Sequence, residues 1–437
     1  MIWEVSVVIF SLALLIFLAL RGFSIIIIAP LASITVILLN QMPLLETLQE
    51  AYMGGFINFA KQFFFIFLLA AMFGKFMEDS GAAIVIAKGI LKVIGKKSKF
   101  RVLVAVVAMA AVLTYGGVAV HIVIFAMLPI AKPLFRELNI PWHLFMAAFF
   151  FGAATFSMTM LPGTPAIHNV IPTKYFGTTV MAGPLVGIVA TIAIIILNCY
   201  YLKYALKKSE RKGETYWNSK NMETASDQGE HHSQKEKKLP PFLIAIIPPV
   251  VLLTALNFFK IDVVYSLMLA VVVSLVVFWP FIENKINTLN LGATNTVLPI
   301  VNTSADVGYG AVIATTAGFA AISDWLTNLP GSPLISLYSA TSLLSGITGS
   351  GSGGIAIAME ALANKYMQLG LNPEVLHRIA VIGSGGFDAL PHNGGVITFL
   401  IAAGLTHKDA YKHVFITGVI APTIAAIPAL IAGILFY

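Results

Sequence analysis

Between Gly383 and Phe399 the chain reads GSGGFDALPHNGGVITF, a polar, glycine-rich interruption in an otherwise strongly apolar sequence. A continuous membrane helix has little use for this mixture. Gly and Pro weaken a helix, and Asp388, His392 and Asn393 are costly in hydrocarbon. Irregular backbone at membrane depth survives only where protein buries it or where it lines a cavity. The segment therefore predicts a discontinuous helix at a binding site. Composition supports the membrane premise: 58% of residues are hydrophobic and 11% charged, against about 25% charged in soluble domains. A span needs about 20 apolar residues, and such runs recur along the sequence, so the expected class is an all-α polytopic membrane protein. The net charge of +7 reads as cytoplasmic loop bias and not as nucleic-acid binding. The single Cys199 excludes an internal disulfide framework. The opening MIWEVSVVIF has no basic n-region or small-residue cleavage site and reads as a first span.

Taken in order, Ile2–Leu20, Phe23–Asn40 and Ile57–Met77 are expected spans, with Met42–Phe56 a polar connection. Lys88, Lys92, Lys96, Lys97, Lys99 and Arg101 mark an amphipathic surface stretch on the cytoplasmic side. Residues 102–133 are apolar halves around Thr114-Tyr115-Gly116-Gly117, with basic residues on both flanks, which predicts a re-entrant hairpin. One ordinary span with a tolerated Gly-Gly is the alternative. Phe145–Met160 leads into a second broken helix, LPGTPAIHN from Leu161 to Asn169, and Met181–Leu202 closes the first half. Residues 203–238 form a hydrophilic cytoplasmic linker with nine Lys/Arg against six Asp/Glu. Its Asn218–Gln234 stretch has disorder composition, and His231-His232 reads as linker. In the second half Leu239–Phe258, Val263–Phe281, Ser304–Trp325 and Tyr411–Phe436 are spans, with Glu283–Asn302 interfacial. A second hairpin at residues 334–369 turns at the glycine-rich Gly346–Gly354.

The halves match. TYGGVAV pairs with GSGSGGIAIA, LNIPWHLF with LNPEVLHR, and LPGTPAIHN with LPHNGGVIT, at offsets between 229 and 235 residues. The expected organisation is a first repeat at 1–202, the linker at 203–238 and a second repeat at 239–437. Five crossings plus a non-crossing hairpin make an odd count, so the repeats are inverted, with the central loop cytoplasmic and both termini outside. Inverted repeats with paired broken helices are the pattern of secondary transporters.

Helix ends at membrane depth present unpaired N–H groups and a dipole that favour an anion. The candidate substrate-binding residues at the four breaks are Thr114, Tyr115, Gly116 and Gly117; Thr164, His168 and Asn169; Ser350, Gly351, Ser352 and Gly353; and His392 and Asn393. No Arg or Lys occurs in these breaks, so complementarity to an anion must come from dipoles, a histidine or a co-transported cation. Asp388 and His121 are the proton-coupling candidates, since intramembrane ionisable groups mark ion pathways; the alternative roles are a helix cap for Asp388 and a core histidine for His121. Asp306, Asp324 and Glu360 read as span-end or packing residues. The nearest approach to a phosphate loop, Gly95-Lys-Lys-Ser, fails the pattern. No serine of the breaks has a Gly two positions before it, so an intramembrane hydrolase has no support. Neither a metal site nor a cofactor is expected.

The segments LPGTPAIHNVIPTKYFGT (Leu161–Thr178) and GSGGFDALPHNGGVITFL (Gly383–Leu400) resemble the gluconate permease family of the ion transporter superfamily, and the inverted halves extend the likeness over nearly the whole chain. The resemblance implies an elevator-type homodimer in a bacterial inner membrane, with scaffold and transport domains and substrate held at hairpin tips and unwound helices. It also implies proton-coupled symport of a small hydroxylated monocarboxylate such as gluconate or 3-hydroxybutyrate. Sodium-coupled relatives carry Ser-Asn-Thr at both tips, which this chain lacks. A sodium-coupled carboxylate symporter, a cation/proton antiporter and a non-transporting membrane receptor or scaffold are the alternatives.

Overall fold

The structure, a computed structural model, describes residues 2–21, 23–95, 98–218, 238–327 and 332–437. Lys96, Lys97, the His231-His232 pair and most of the linker lie outside the described residues. The described chain is helical and contains no strand. Its first half runs α1 (Ile2–Leu20), α2 (Ile25–Leu39), α3 (Leu44–Asp79), α4 (Ala82–Ile94), α5 (Lys99–Tyr115), α6 (Val120–Glu137), α7 (His143–Met160), α8 (Ile167–Phe176) and α9 (Pro184–Arg211). The second half runs α10 (Phe242–Phe258), α11 (Val263–Phe281), α12 (Lys285–Ala314), α13 (Ala317–Thr327), α14 (Pro333–Thr348), α15 (Gly351–Gln368), α16 (Pro373–Ser384), α17 (Gly394–Ala403) and α18 (His407–Phe436). Six of these (α3, α7, α9, α11, α12 and α18) are long and apolar enough to cross a membrane, and further apolar helices are shorter. Outward-facing Ile, Leu, Phe and Val on α1, α2, α9, α11 and α18 supply the lipid-compatible surface.

Helix ends are written in the sequence. Ser98, Asp262, Ser350, Asn372 and Asn393 each accept a first-turn N–H, opening α5, α11, α15, α16 and α17. Gly349, at φ +60°, stops α14 in the left-handed conformation that glycine tolerates. Several boundaries differ from the sequence reading. Met42–Phe56 is not a connection: most of it is the first turns of α3, with Glu46, Gln49 and Glu50 on the exposed side. Ser304–Trp325 is not one span either. The long helix ends at Ala314, and α13 starts afresh at Ala317. Apolarity alone could not place the break at Thr315-Thr316, because both sides of it are apolar.

Packing is reciprocal between the halves. α1 meets α13 as α10 meets α4, α2 meets α12 as α11 meets α3, and α8 meets α15 as α17 meets α6. The arms α5/α6 and α14/α15 fold back on one another as hairpins. α7 is the most enclosed of the long helices. Over Phe151–Met160 its turns widen, with Ser157 Oγ returning to the Gly152 and Ala153 carbonyls at 3.0 Å each. Widened turns of this kind recur at functional sites. Trp142 Nε1 donates to Ala403 O at 2.8 Å and its ring stacks on Phe145, tying the start of α7 to the end of α17.

Candidate functional site

The centre of the site is the tip between α14 and α15. Asp388, in the unwound stretch between α16 and α17, accepts the Gly351 N–H on Oδ1 at 2.6 Å. The same oxygen takes Asn393 Nδ2 at 2.9 Å, while Asn393 Oδ1 caps α17 at Val396 N. His168, at the start of α8, reaches the tip from the other half: a Cβ built on Gly351 would stand 2.5 Å from His168 Nε2 and 2.9 Å from Asp388 Cγ. One glycine is thus held between a histidine of the first broken helix and a carboxyl of the second. His168 is 5% exposed and its Nδ1 has no hydrogen-bond partner, so the ring is a buried polar group with an open valence. Ser350 Oγ lies 3.2 Å from Ser352 Oγ and accepts the Gly353 N–H at 3.1 Å. His392 Nε2 lies 2.9 Å from Gly346 O and closes the α14 side of the tip.

The other candidates gather around the first break. Tyr115 O–H donates to Pro162 O at 3.0 Å, so the first hairpin tip holds the unwound segment after α7. Gly117 has φ +90°, and a side chain there would strike Leu252 at 2.7 Å and crowd Phe73 at 3.3 Å. Gly116 sits against Pro249 and the carbonyls of α5. The Thr114 hydroxyl is occupied by Ala110 O at 2.7 Å and by Ser157 Oγ, which makes it a tie between α5 and α7. Thr164 and Asn169 are fully buried. Asn169 Nδ2 donates to Thr164 O and Val180 O at 2.8 Å each, closing the unwound loop on itself. His121 is not brought to the Gly351 tip. His121 lies exposed on α6, its ring centroid 5.0 Å from that of Phe399 and the two rings tilted.

Two buried polar residues, His377 and Arg378, escaped the sequence reading. His377 Nε2 pairs with Asn169 Oδ1 at 3.1 Å, and its Nδ1 pairs with Thr178 Oγ1 at 2.6 Å. Arg378, fully buried, donates from Nε to Ala182 O at 2.8 Å and from Nη2 to Val180 O at 2.9 Å. This guanidinium enters from α16, outside the four break motifs, and holds the turn after α8. Asp306 lies mid-helix in α12, 2% exposed, and not at a span end. Asp324 is exposed and paired with Lys365, and Glu360 accepts the Tyr175 O–H at 2.9 Å. The signal for Arg378 was its place in PEVLHRIAVIG, a basic residue inside an apolar helical run.

Membrane-length helices, broken helices whose ends are buried, and polar side chains meeting at those ends define a polytopic membrane transporter. The chain belongs to the citrate transporter family, whose model matches residues 4–287. It is 34% identical to the uncharacterized transporter YxjC of Bacillus subtilis (strain 168), over 94% of this chain and 95% of that protein. Both are transporters and not enzymes. Neither comparison supports the gluconate permease assignment that Leu161–Thr178 and Gly383–Leu400 prompted.

Proposed function

We propose that the protein is a secondary active transporter that carries a small hydroxylated carboxylate together with protons. The observation that carries this reading is the Gly351 tip, where His168 and Asp388 from two broken helices meet one helix start. A helix N-terminus favours an anion, His168 offers a polar nitrogen, and Ser350 and Ser352 offer hydroxyls to the substrate's own hydroxyl groups. Asp388 opposes an anion while ionised. Protonating it removes that repulsion, so substrate and proton would bind together, with Asp388 as the coupling group.

The two halves are read as repeats inverted across the membrane, a reading supported by the reciprocal packing. Two packing groups suit a scaffold and a moving unit. The helices α2, α3, α11 and α12 pack together, and so do α8, α14, α15 and α16. On this reading the second group travels past the first as an elevator within a homodimer. The loop after α9 would be cytoplasmic and both termini outside.

The substrates to test are gluconate, 3-hydroxybutyrate and citrate, the last because the matching family is described by it. Purified protein in proteoliposomes should accumulate at least one of these labelled acids when the outside is made acidic. A sodium gradient alone should drive no uptake. If neither gradient drives any of the three, the reading is wrong. Uptake driven by sodium at equal pH would replace the proton with sodium.

A further inference from the structure

Asp306 is a buried carboxyl with one oxygen unmatched among the described residues. Its Oδ1 forms no hydrogen bond, and among the described residues no Lys, Arg or His pairs with it. A Cβ built on Gly353 would stand 2.2 Å from its Oδ2, so the first turn of α15 closes on the carboxyl only because residue 353 is a glycine. That turn gives little in return, since the Gly353 N–H is already taken by Ser350 Oγ. The surroundings supply no counter-charge. From α3, Tyr52 faces Asp306, while Glu46, Glu50 and Lys61 are exposed and Lys75 is paired with Glu78 and Asp79. α2 carries no titratable residue. On α12 itself the Tyr309 hydroxyl is paired with Ser11 of α1. On α15, Glu360 lies two turns away and holds Tyr175. Asp388 touches the same tip two residues earlier, at Gly351.

Packing does not require an acid here. In the first half the matching elements, α3 and α6, also meet at a glycine. A Cβ on Gly74 would meet Ile122 Cδ1 at 2.8 Å. There the long helix supplies the glycine and the hairpin an aliphatic side chain. In the second half the long helix supplies a carboxyl and the hairpin the glycine. An ionised carboxylate enclosed in this way, with no cation and an unmet oxygen, is strongly disfavoured in an apolar interior. The neutral acid is disfavoured far less.

We propose that Asp306 is a proton-carrying site separate from Asp388, protonated while the α14–α15 tip is docked on α12. When the tip leaves, water reaches the carboxyl. Its O–H bond then breaks, and the proton passes to water on the side that has opened. The bond re-forms from water before the tip docks again, so no other reactant is needed. Hairpin docking and proton occupancy thereby become one step. This rests on the transport reading above.

The test uses the full-length protein and the isosteric Asp306→Asn variant, with Asp388→Asn as a parallel. Infrared spectra of the purified proteins read the C=O stretch of a protonated carboxyl, with no substrate present. The expected result is a protonated-acid band in the wild type and in Asp388→Asn that is absent in Asp306→Asn. Proteoliposome uptake of labelled citrate, gluconate and 3-hydroxybutyrate then reads coupling. In Asp306→Asn the stimulation by an acidic outside should be lost, while exchange of labelled for unlabelled acid continues. That surviving exchange shows that the variant is folded. A protonated-acid band unchanged in Asp306→Asn overturns the proposal, and so does loss of the band with the pH stimulation kept. If the wild type transports none of the three acids, the transport reading and the coupling role fall together. The band then decides separately whether Asp306 holds a proton.

Discussion

Replacing Asp388 by Ala and, separately, by Asn distinguishes a helix cap from a proton carrier, because the two substitutions remove different things. Asp388 Oδ1 accepts from Gly351 N–H at 2.6 Å and from Asn393 Nδ2 at 2.9 Å. Alanine leaves the Gly351 N–H buried without this acceptor, while Asn393 Nδ2 keeps the Asp388 backbone carbonyl at 2.8 Å. At about 1–3 kcal/mol for one unsatisfied buried group, the expected destabilisation is about 1–3 kcal/mol. Set against a typical total of about 5–15 kcal/mol, that is enough to lower the unfolding temperature in detergent clearly. Asparagine keeps an oxygen at the same position, so both bonds can persist as neutral ones. The loss is then the charge-assisted increment, about 1 kcal/mol. Asn cannot exchange a proton, however. Thermal unfolding should therefore rank wild type, Asp388→Asn and Asp388→Ala in that order. In proteoliposomes Asp388→Asn should still exchange labelled for unlabelled acid but lose accumulation driven by a pH gradient. Full pH-driven accumulation in Asp388→Asn would refute the coupling role and leave the carboxyl as a cap. Equal destabilisation of the two variants would refute the claim that the amide oxygen can take over the tip bonds.

Three further substitutions probe the surrounding geometry. Gly351→Ala places a methyl 2.5 Å from His168 Nε2 and 2.9 Å from Asp388 Cγ. Uptake should fall to background while circular dichroism keeps its helical spectrum, and normal uptake would show that the tip need not be so closely held. In Gly354→Ala the new methyl meets the Ser345 backbone N and Cα at 2.2 Å, which neither arm of the hairpin can relieve by a rotamer change. A cost of about 1–3 kcal/mol or more from overpacking should appear as a lower unfolding temperature, and an unchanged one would contradict the close crossing of α14 and α15. Arg378→Lys keeps the charge but not the fork that spans Val180 O and Ala182 O. It should loosen the turn after α8 and raise its proteolytic sensitivity without abolishing insertion into the membrane, and wild-type resistance would remove Arg378 from that role.

What the sequence made legible was local. Glycines and prolines gathered with polar residues marked the broken backbone, so both hairpin turns and both unwound segments were visible, whereas the capping roles of Ser350 and Asn393 were not. Partnership across the chain was not. Thr114 and His168 look alike as polar residues at breaks, yet the Thr114 hydroxyl is consumed by Ala110 O and Ser157, while His168 faces Gly351 with Nδ1 open. His121 carried the same intramembrane signal as His168 and ended on an exposed face beside Phe399. Arg378 and His377 were hidden by lying outside the motif they brace. Asp306 had a readable cue in its neighbours: SADVGYG surrounds the acid with small residues, which on a membrane helix signals close approach by another element. What no local rule supplies is that the approaching element is the Gly353 turn.

The two carboxyls meet one hairpin tip from different sides of the packing. Asp388 belongs to the unwound segment after α16, and α16 packs with α14 and α15. Its bond to the Gly351 N–H therefore joins parts that would travel together. Asp306 belongs to α12, which packs with α2 and α3 and also closely on α15; on the elevator reading its contact with Gly353 joins parts that would separate. On the proposed mechanism a proton on Asp388 would stay with bound substrate throughout a transport cycle, whereas one on Asp306 would be exposed whenever the tip undocked. The two variants should then fail differently. Asp388→Asn should weaken the pH dependence of substrate binding measured at equilibrium. Asp306→Asn should leave equilibrium binding alone and alter only the pH dependence of translocation. Identical behaviour of the two variants in both assays would mean that the acids act as one site and that the tip and α12 do not part.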